Sequence, residues 1–176
     1  MDFNELVKIR RSCREYSNIR PNKEEIENII STTLLAPSWK NSETGRYYVA
    51  LSDEAINLVY SALPDFNKNS TANAAYIVPT FKKGLSGCGQ NGQYVDDLKD
   101  SWGAYDLGLQ NAYLMLKASD MGYDTLIMGL RDEKMLRDYF SIPDDEIMMP
   151  VIAIGKKKSN LVLRDRKDIK EVLKIK

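Results

Sequence analysis

Segments that predict helices and strands alternate along all 176 residues, and no Pro-rich, Ser-rich or charged linker separates them. The capping-box spacing of Asp2 with Glu5 and of Asn22 with Glu25 predicts two helix starts. Short apolar segments predict strands at RYYVALS, AAYIVPTF, TLIMG and MPVIAIG. This order favours an α+β fold, with a parallel α/β sheet as the alternative, in one domain of residues 1–176.

Three further helices are predicted after the first predicted strand, two of them short and amphipathic, at DEAINLVYSAL and DEKMLRDYF. The third is long, covers about residues 99–121 and ends at Gly122. Its apolar spacing predicts an inner face made of Trp102, Tyr105, Leu109, Ala112 and Leu116. Residues 83–97 before it are rich in glycine and are interpreted as a flexible surface loop or, in a functional role, a lid over a substrate.

Composition argues against several classes of function. The 25 basic and 25 acidic side chains cancel, so broad binding to nucleic acid or to a membrane surface is not expected. No apolar run reaches the ~18 residues of a membrane span, and MDFNELVKIRR lacks the apolar core of a signal peptide, which favours a cytoplasmic protein.

The chain contains no histidine, and its two cysteines, Cys13 and Cys88, form no CxxC motif. A disulfide framework, a metal site and every catalytic triad that uses histidine are therefore not expected. If the protein is an enzyme, a bound cofactor is expected to carry the chemistry.

The sequence GCGQNG, residues 87–92, matches the GxGxxG pattern of dinucleotide-binding folds. In those folds the glycines join a strand directly to a helix. Here KKGLS separates the glycines from the preceding strand, and QYVDD follows them. A surface loop is therefore favoured over a dinucleotide site.

The segment IRRSCREY gathers three arginines around one serine: Arg10, Arg11, Arg14 and Ser12. Arginines just after a helix can stabilise its negative end and remain in solvent. Alternatively, Arg10 and Arg14 share a face if helical character persists, and their guanidinium groups suit a phosphate. A late basic pair, Arg164 and Arg166, could converge on the same anion. Sequence spacing leaves both interpretations open.

Four longer segments occur in a recognisable order along the chain: IRRSCREY, LLAPSWKNSETGRYYV, DLGLQNAYLMLKASDMGYDTLIMG, and PVIAIG with a late RDR. Together they resemble the nitroreductase family of FMN-dependent flavoenzymes, nearly from end to end. The resemblance implies an α+β fold with a central mixed sheet flanked by helices. It also implies a homodimer with two FMN sites at the subunit interface.

The activity implied by the resemblance is an NAD(P)H-dependent FMN oxidoreductase. Such an enzyme takes hydride from NADH or NADPH and then reduces nitroaromatics, quinones or related acceptors in a ping-pong mechanism. One alternative is a protein that stores or senses FMN with little turnover. Another is an anion-binding module without flavin.

Residue roles also follow from the resemblance. Arg10, Arg11 and Ser12, with Arg164 and Arg166, are expected to hold the phosphate and ribityl end of FMN. The expected catalytic residues are Arg14, at the pyrimidine edge, and Met128 with Gly129, whose backbone N–H groups approach the reactive flavin nitrogen. Asn67 is expected at the pyrimidine ring. The other subunit is expected to contribute Pro37, Ser38 and Asn41, and no metal ligand is expected.

Two residues depart from the family pattern. Glu43 stands where glutamine is usual, and Ser70 stands where a basic residue is common. Both changes are expected to weaken flavin binding or to alter the flavin potential.

Overall fold

The computed structural model describes residues 2–176, so Met1 of the predicted domain lies outside the described residues. Its helices are α1 (Phe3–Ile9), α2 (Lys23–Thr33), α3 (Asp53–Ser61), α4 (Asp65–Thr71), α5 (Ser101–Asp120), α6 (Glu133–Phe140) and α7 (Ile169–Val172). Its strands are β1 (Gly45–Ala50), β2 (Ala75–Lys82), β3 (Asp124–Met128), β4 (Glu146–Met148) and β5 (Val151–Gly155). The α+β class is confirmed, while the short elements α4, β4 and α7 were not predicted.

Both predicted helix starts are present. The Asp2 carboxylate accepts from the backbone N–H groups of Asn4 and Glu5 at 2.9 and 3.4 Å. At α2 the capping box is reciprocal, because Asn22 accepts from the Glu25 N–H and Glu25 accepts from the Asn22 N–H, each at 2.9 Å. Side chains thus satisfy N–H groups that have no partner inside a first helical turn.

The sheet has the order β1-β2-β5-β3, and every ladder between these strands is antiparallel. β4 also pairs antiparallel with β2, beyond the point where β5 stops. In residues 2–176 the only parallel pairing is an isolated bridge between Ser12 and Thr125. The parallel part of the expected mixed sheet is therefore this one bridge in the described residues.

Residues 12–17 lie along the edge of β3 and the residues that follow β5. The Cys13 N–H donates to the Thr125 carbonyl at 2.9 Å, and the Ser17 N–H donates to the Lys156 carbonyl at 2.8 Å. Cys13 and Tyr16 are buried, so this segment belongs to the core. The first arginines of the chain are thereby fixed beside the sheet.

The predicted inner face of α5 is wrong. Tyr105 is 59% exposed, and the other four residues of that face are only half-buried. The buried residues are instead Gly103, Asp106, Leu107, Gln110, Leu114 and Ala118. This face packs close to the sheet, since a Cβ on Gly103 would lie 2.3 Å from Phe81 Cδ2. Apolar spacing locates a stripe on a helix but does not say which neighbour covers it.

Within residues 2–176, none of the helices combines the length and the apolar character that crossing a lipid bilayer requires.

Candidate functional site

An arginine cleft forms where the segment after α1 meets the C-terminal tail. We use this name for the residues that line it: Arg10, Arg11, Ser12, Arg14, Val162, Arg164 and Arg166. The helix ends at Ile9, so Arg10 and Arg14 do not share a helical face as one interpretation required. The backbone is non-helical from Arg10 onward, and the exposed Ser12 and Arg14 flank the buried Cys13. The structure thus brings both basic clusters of the sequence together.

The cleft holds five guanidinium groups without a counter-charge. None of the five forms an ion pair with an acidic side chain in the part of the chain that the structure describes. Burial, followed by the positive charges of Arg11 and Arg166, lowers the pKa of Arg10. Gathering like charges in a protein of zero net charge is unfavourable unless an anion joins them. The convergence therefore favours the anion-site interpretation over solvated charges at a helix end.

A second cleft, the strand-end cleft, lies at the end of β3. Its lining residues are Arg14, Phe66, Asn67, Ser70, Leu126, Ile127, Met128, Gly129 and Leu130. Its volume of about 380 Å³ lies in the range of small-molecule sites. Because Arg14 lines both clefts, they lie next to each other, with the strongly basic cleft on one side of Arg14 and the less charged cleft on the other.

α4 brings Asn67 into the strand-end cleft. Asn67 is only 7% exposed, and its side-chain amide has no hydrogen-bond partner within residues 2–176. The amide can therefore donate to and accept from a ligand in the cleft. Ser70 also lines the cleft, but its hydroxyl donates to the Phe66 carbonyl at 3.0 Å and is partly used by the helix itself.

The floor of the strand-end cleft offers backbone donors. The ladder between β3 and β5 ends at Met128, paired with Val151. Among the described residues, the N–H groups of Gly129 and Leu130 have no hydrogen-bond acceptor. A Cβ added to Gly129 would meet nothing within 4 Å, so open space lies beside these groups. They are available to a hydrogen-bond acceptor on a ligand.

The remaining predicted site residues, Pro37, Ser38 and Asn41, line neither cleft of their own chain. Pro37 and Ser38 lie directly before the 3₁₀ turn Trp39–Asn41, and Asn41 is its last residue. The buried Asp106 carboxylate accepts from the Trp39 N–H at 3.0 Å, which anchors this turn to α5.

Backbone strain is concentrated at the same turn. Lys40, Asn41 and Glu43 have positive φ values of 47°, 55° and 48°. Residues with such φ cost free energy and persist only when surrounding contacts hold them. The Asn41 amide donates to Glu43 Oε1 at 2.7 Å, and the Ser38 hydroxyl accepts from the Glu43 N–H at 3.2 Å. Glu43, the departure noted in the sequence, thus supports the geometry of the turn.

The glycine-rich segment 83–97 is not a surface loop throughout. Residues 86–88 are buried, which corrects that interpretation for them. The Ser86 hydroxyl donates to Asp106 at 2.7 Å, and the Cys88 carbonyl accepts from Trp39 Nε1 at 3.2 Å. Residues 91–99 are exposed, and their role as a lid stays a prediction.

Sequence reasoning did not single out Arg131. Its Nη1 donates to the Gly129 carbonyl at 2.7 Å, and its Nη2 donates to the Met148 carbonyl at 2.6 Å. A charged residue three positions after a strand is a weak signal, and the partner of Arg131 in β4 is visible only in the folded chain.

The chain is similar to known proteins over most of its length. The family model described as Nitroreductase family matches residues 7–156. A putative NADH dehydrogenase/NAD(P)H nitroreductase of Archaeoglobus fulgidus is 27% identical over 154 residues, which cover 85% of this chain and 82% of that protein. The putative NAD(P)H nitroreductase YdgI of Bacillus subtilis is 27% identical over 186 residues, which cover 88% of each protein.

Solved structures give the same result. A putative nitroreductase of Exiguobacterium sibiricum, crystallised in complex with FMN, has a TM-score of 0.84 at 27% identity and covers 100% of this chain and 98% of that one. A nitroreductase family protein of Streptococcus pneumoniae has a TM-score of 0.83 at 18% identity and covers 99% and 100% of the two chains. The second likeness concerns the fold alone.

Proposed function

Since the chain belongs to the nitroreductase family, we propose that it is an FMN-dependent oxidoreductase that uses NADH or NADPH to reduce nitroaromatics, quinones or related acceptors. The observation that carries this proposal is that the arginine cleft and the strand-end cleft lie side by side and share Arg14. FMN has the matching asymmetry, with a dianionic phosphate at one end and a planar ring at the other.

The described residues fit FMN at both ends. Four arginines without acidic partners among the described residues suit the phosphate: Arg10, Arg11, Arg164 and Arg166. The lowered pKa of Arg10 reflects burial and the crowding of positive charge that a phosphate would relieve. The unpaired amide of Asn67 and the free N–H groups of Gly129 and Leu130 suit the polar edge of the ring.

Bound FMN would supply the chemistry by accepting a hydride from the nicotinamide and passing it to the acceptor. The chain's own residues bind and orient. Arg14 would stabilise negative charge at the pyrimidine edge of the ring, because positive charge placed in advance costs no reorganisation during the reaction. The N–H groups of Gly129 and Leu130 would hydrogen-bond the ring, and the buried Met128 would pack beneath it.

We further propose a homodimer whose two sites each contain residues of both subunits. Ser38 and Asn41 lie outside the clefts of their own chain, yet their turn is strained and anchored by the buried Asp106. Such strain is typical of segments that contact ligands. The apolar stripe of α5, including the 59% exposed Tyr105, is available for a subunit contact. A single domain and a cytoplasmic location stay predictions from the sequence.

The purified protein tests the proposed function directly. We expect a flavin absorption spectrum, tighter binding of FMN than of riboflavin, and consumption of NADH or NADPH when a quinone or nitroaromatic is added. Tight FMN binding without turnover would favour a storage or sensing role. A colourless protein that FMN does not colour would contradict flavin binding and favour a simple anion site.

A further inference from the structure

Arg131 connects the loop after β3 to the end of β4. Its side chain is 15% exposed, and its two terminal nitrogens donate to the carbonyls of Gly129 at 2.7 Å and Met148 at 2.6 Å. Glu133 lies 3.4 Å from Nη2 and is its acidic neighbour. The guanidinium group thus contacts the backbone of Gly129, a lining residue of the strand-end cleft, while Arg131 itself does not line that cleft.

Filling space does not explain this placement. Among residues 2–176 the buried Nε of Arg131 has no hydrogen-bond partner, and burial lowers the pKa of the guanidinium. A partly buried charge with an unsatisfied donor is costly. An apolar side chain would fill the same space without that cost but would leave the Gly129 and Met148 carbonyls without this donor, so the arginine serves these two backbone groups.

A peptide unit is planar and trans, so its carbonyl and its N–H point in opposite directions. The Gly129 carbonyl points to Arg131, and the N–H of the same peptide unit belongs to Leu130. This N–H is one of the two unpaired donors at the strand-end cleft. Without Arg131, the peptide after Gly129 would be free to rotate, because the ladder of β3 has already ended at Met128.

We infer that Arg131 is a positioning residue that fixes the peptide between Gly129 and Leu130, so that the Leu130 N–H faces the strand-end cleft and donates to the flavin ring. This inference rests on the proposed function. Arg131 itself touches neither flavin nor nicotinamide. It acts through one backbone group whose direction it sets.

Arg137 provides a matched control. It lies on α6, forms an ion pair with the same Glu133 at 2.9 Å, and donates to the carbonyls of Pro143 at 3.1 Å and Glu146 at 2.7 Å. It therefore makes the same kind of contact to the same region of β4 but does not reach Gly129.

The experiment compares Arg131→Gln, Arg131→Lys and Arg137→Gln, each loaded with FMN. We expect Arg131→Gln to slow flavin reduction by NADH or NADPH about 10- to 100-fold, to change the flavin potential and to shift the flavin absorption spectrum. Arg131→Lys keeps the charge and a donor and should lose less. Arg137→Gln should lower the melting temperature by a similar amount but leave the potential and spectrum unchanged. Equal effects of Arg131→Gln and Arg137→Gln on the potential would overturn the inference.

A measurement on the wild-type protein decides the question if the Arg131 variants do not fold. With ¹⁵N-leucine labelling, the Leu130 amide resonance should shift on FMN addition and become protected from hydrogen exchange. An unchanged Leu130 amide in the FMN-saturated protein would overturn the positioning role alone. A wild-type protein that binds no FMN would overturn the proposed function first, and the inference with it.

Discussion

Replacing Arg166 with alanine should weaken FMN binding without harming the fold. Arg166 lines the arginine cleft, is exposed, and contributes positive charge that lowers the pKa of Arg10. In the protein without FMN its removal relieves repulsion, so the melting temperature should stay the same or rise slightly. With FMN bound, a charge-assisted hydrogen bond worth about 1.5 to 3 kcal/mol is lost, which corresponds to about 10- to 100-fold weaker binding.

The assay is a fluorescence titration of the apoprotein with FMN and, separately, with riboflavin. Riboflavin lacks the phosphate, so its affinity should change little in Arg166→Ala. Lys167→Ala is the matched control, because it removes the same charge from the next residue, which does not line the cleft. The loss for Arg166→Ala should also shrink at high salt, since ions screen exposed charges.

Three results would contradict this prediction. An equal loss of affinity for FMN and riboflavin would mean that Arg166 does not act on the phosphate. An equal loss of FMN affinity in Lys167→Ala would mean that only the net charge of the tail matters. A marked fall in the melting temperature of apo Arg166→Ala would instead assign the arginine a structural role.

Three further predictions follow from the site. Gly129→Ala should change the free energy of unfolding by less than about 0.5 kcal/mol, because the new methyl meets nothing within 4 Å, whereas flavin reduction in stopped flow should slow by up to about 100-fold; an unchanged rate would remove Gly129 from the ring site. Asp106→Ala should lower stability by about 1 to 3 kcal/mol in urea unfolding, because the part-buried Trp39 N–H and the buried Ser86 hydroxyl lose their acceptor. Asp106→Asn is the milder control, and an unchanged midpoint would be the contrary result. A tagged mixed dimer of Arg14→Ala with Ser38→Ala/Asn41→Ala should recover about half the wild-type activity, because a shared site places both defects in one pocket; persistent inactivity with FMN bound would show that each site lies within one chain.

Local signals predicted most of the secondary structure. The capping residues Asp2 and Asn22 mark helix starts because their side chains bond the nearest backbone N–H groups, an interaction set by a few adjacent residues. The apolar run AAYIVPTF predicted a strand, and the structure agrees, because residues Ala75 to Phe81 of β2 are all buried. The short α4 and β4 were missed because neither carries a repeat long enough to distinguish it from a loop.

The burial of α5 could not be predicted from its sequence. Its buried face includes Gly103, Asp106 and Gln110, which look like surface or loop residues until the sheet and their hydrogen-bond partners are present. Tyr105 looks like a core residue but is exposed in the chain by itself. Sequence spacing reports the period of a helix, whereas burial depends on what packs against it.

The sequence alone determined that the chain alternates helices and strands, carries two separated arginine clusters and has no net charge or histidine. Only the tertiary structure decided that Arg10 and Arg166, which are 156 residues apart, face one cleft, and that Arg131 reaches back to Gly129. The reason is physical: a local pattern fixes which backbone hydrogen bonds a segment can make by itself. The meeting of distant charges depends on how the edge of the sheet and the C-terminal tail pack together, and no short stretch of sequence encodes that distance.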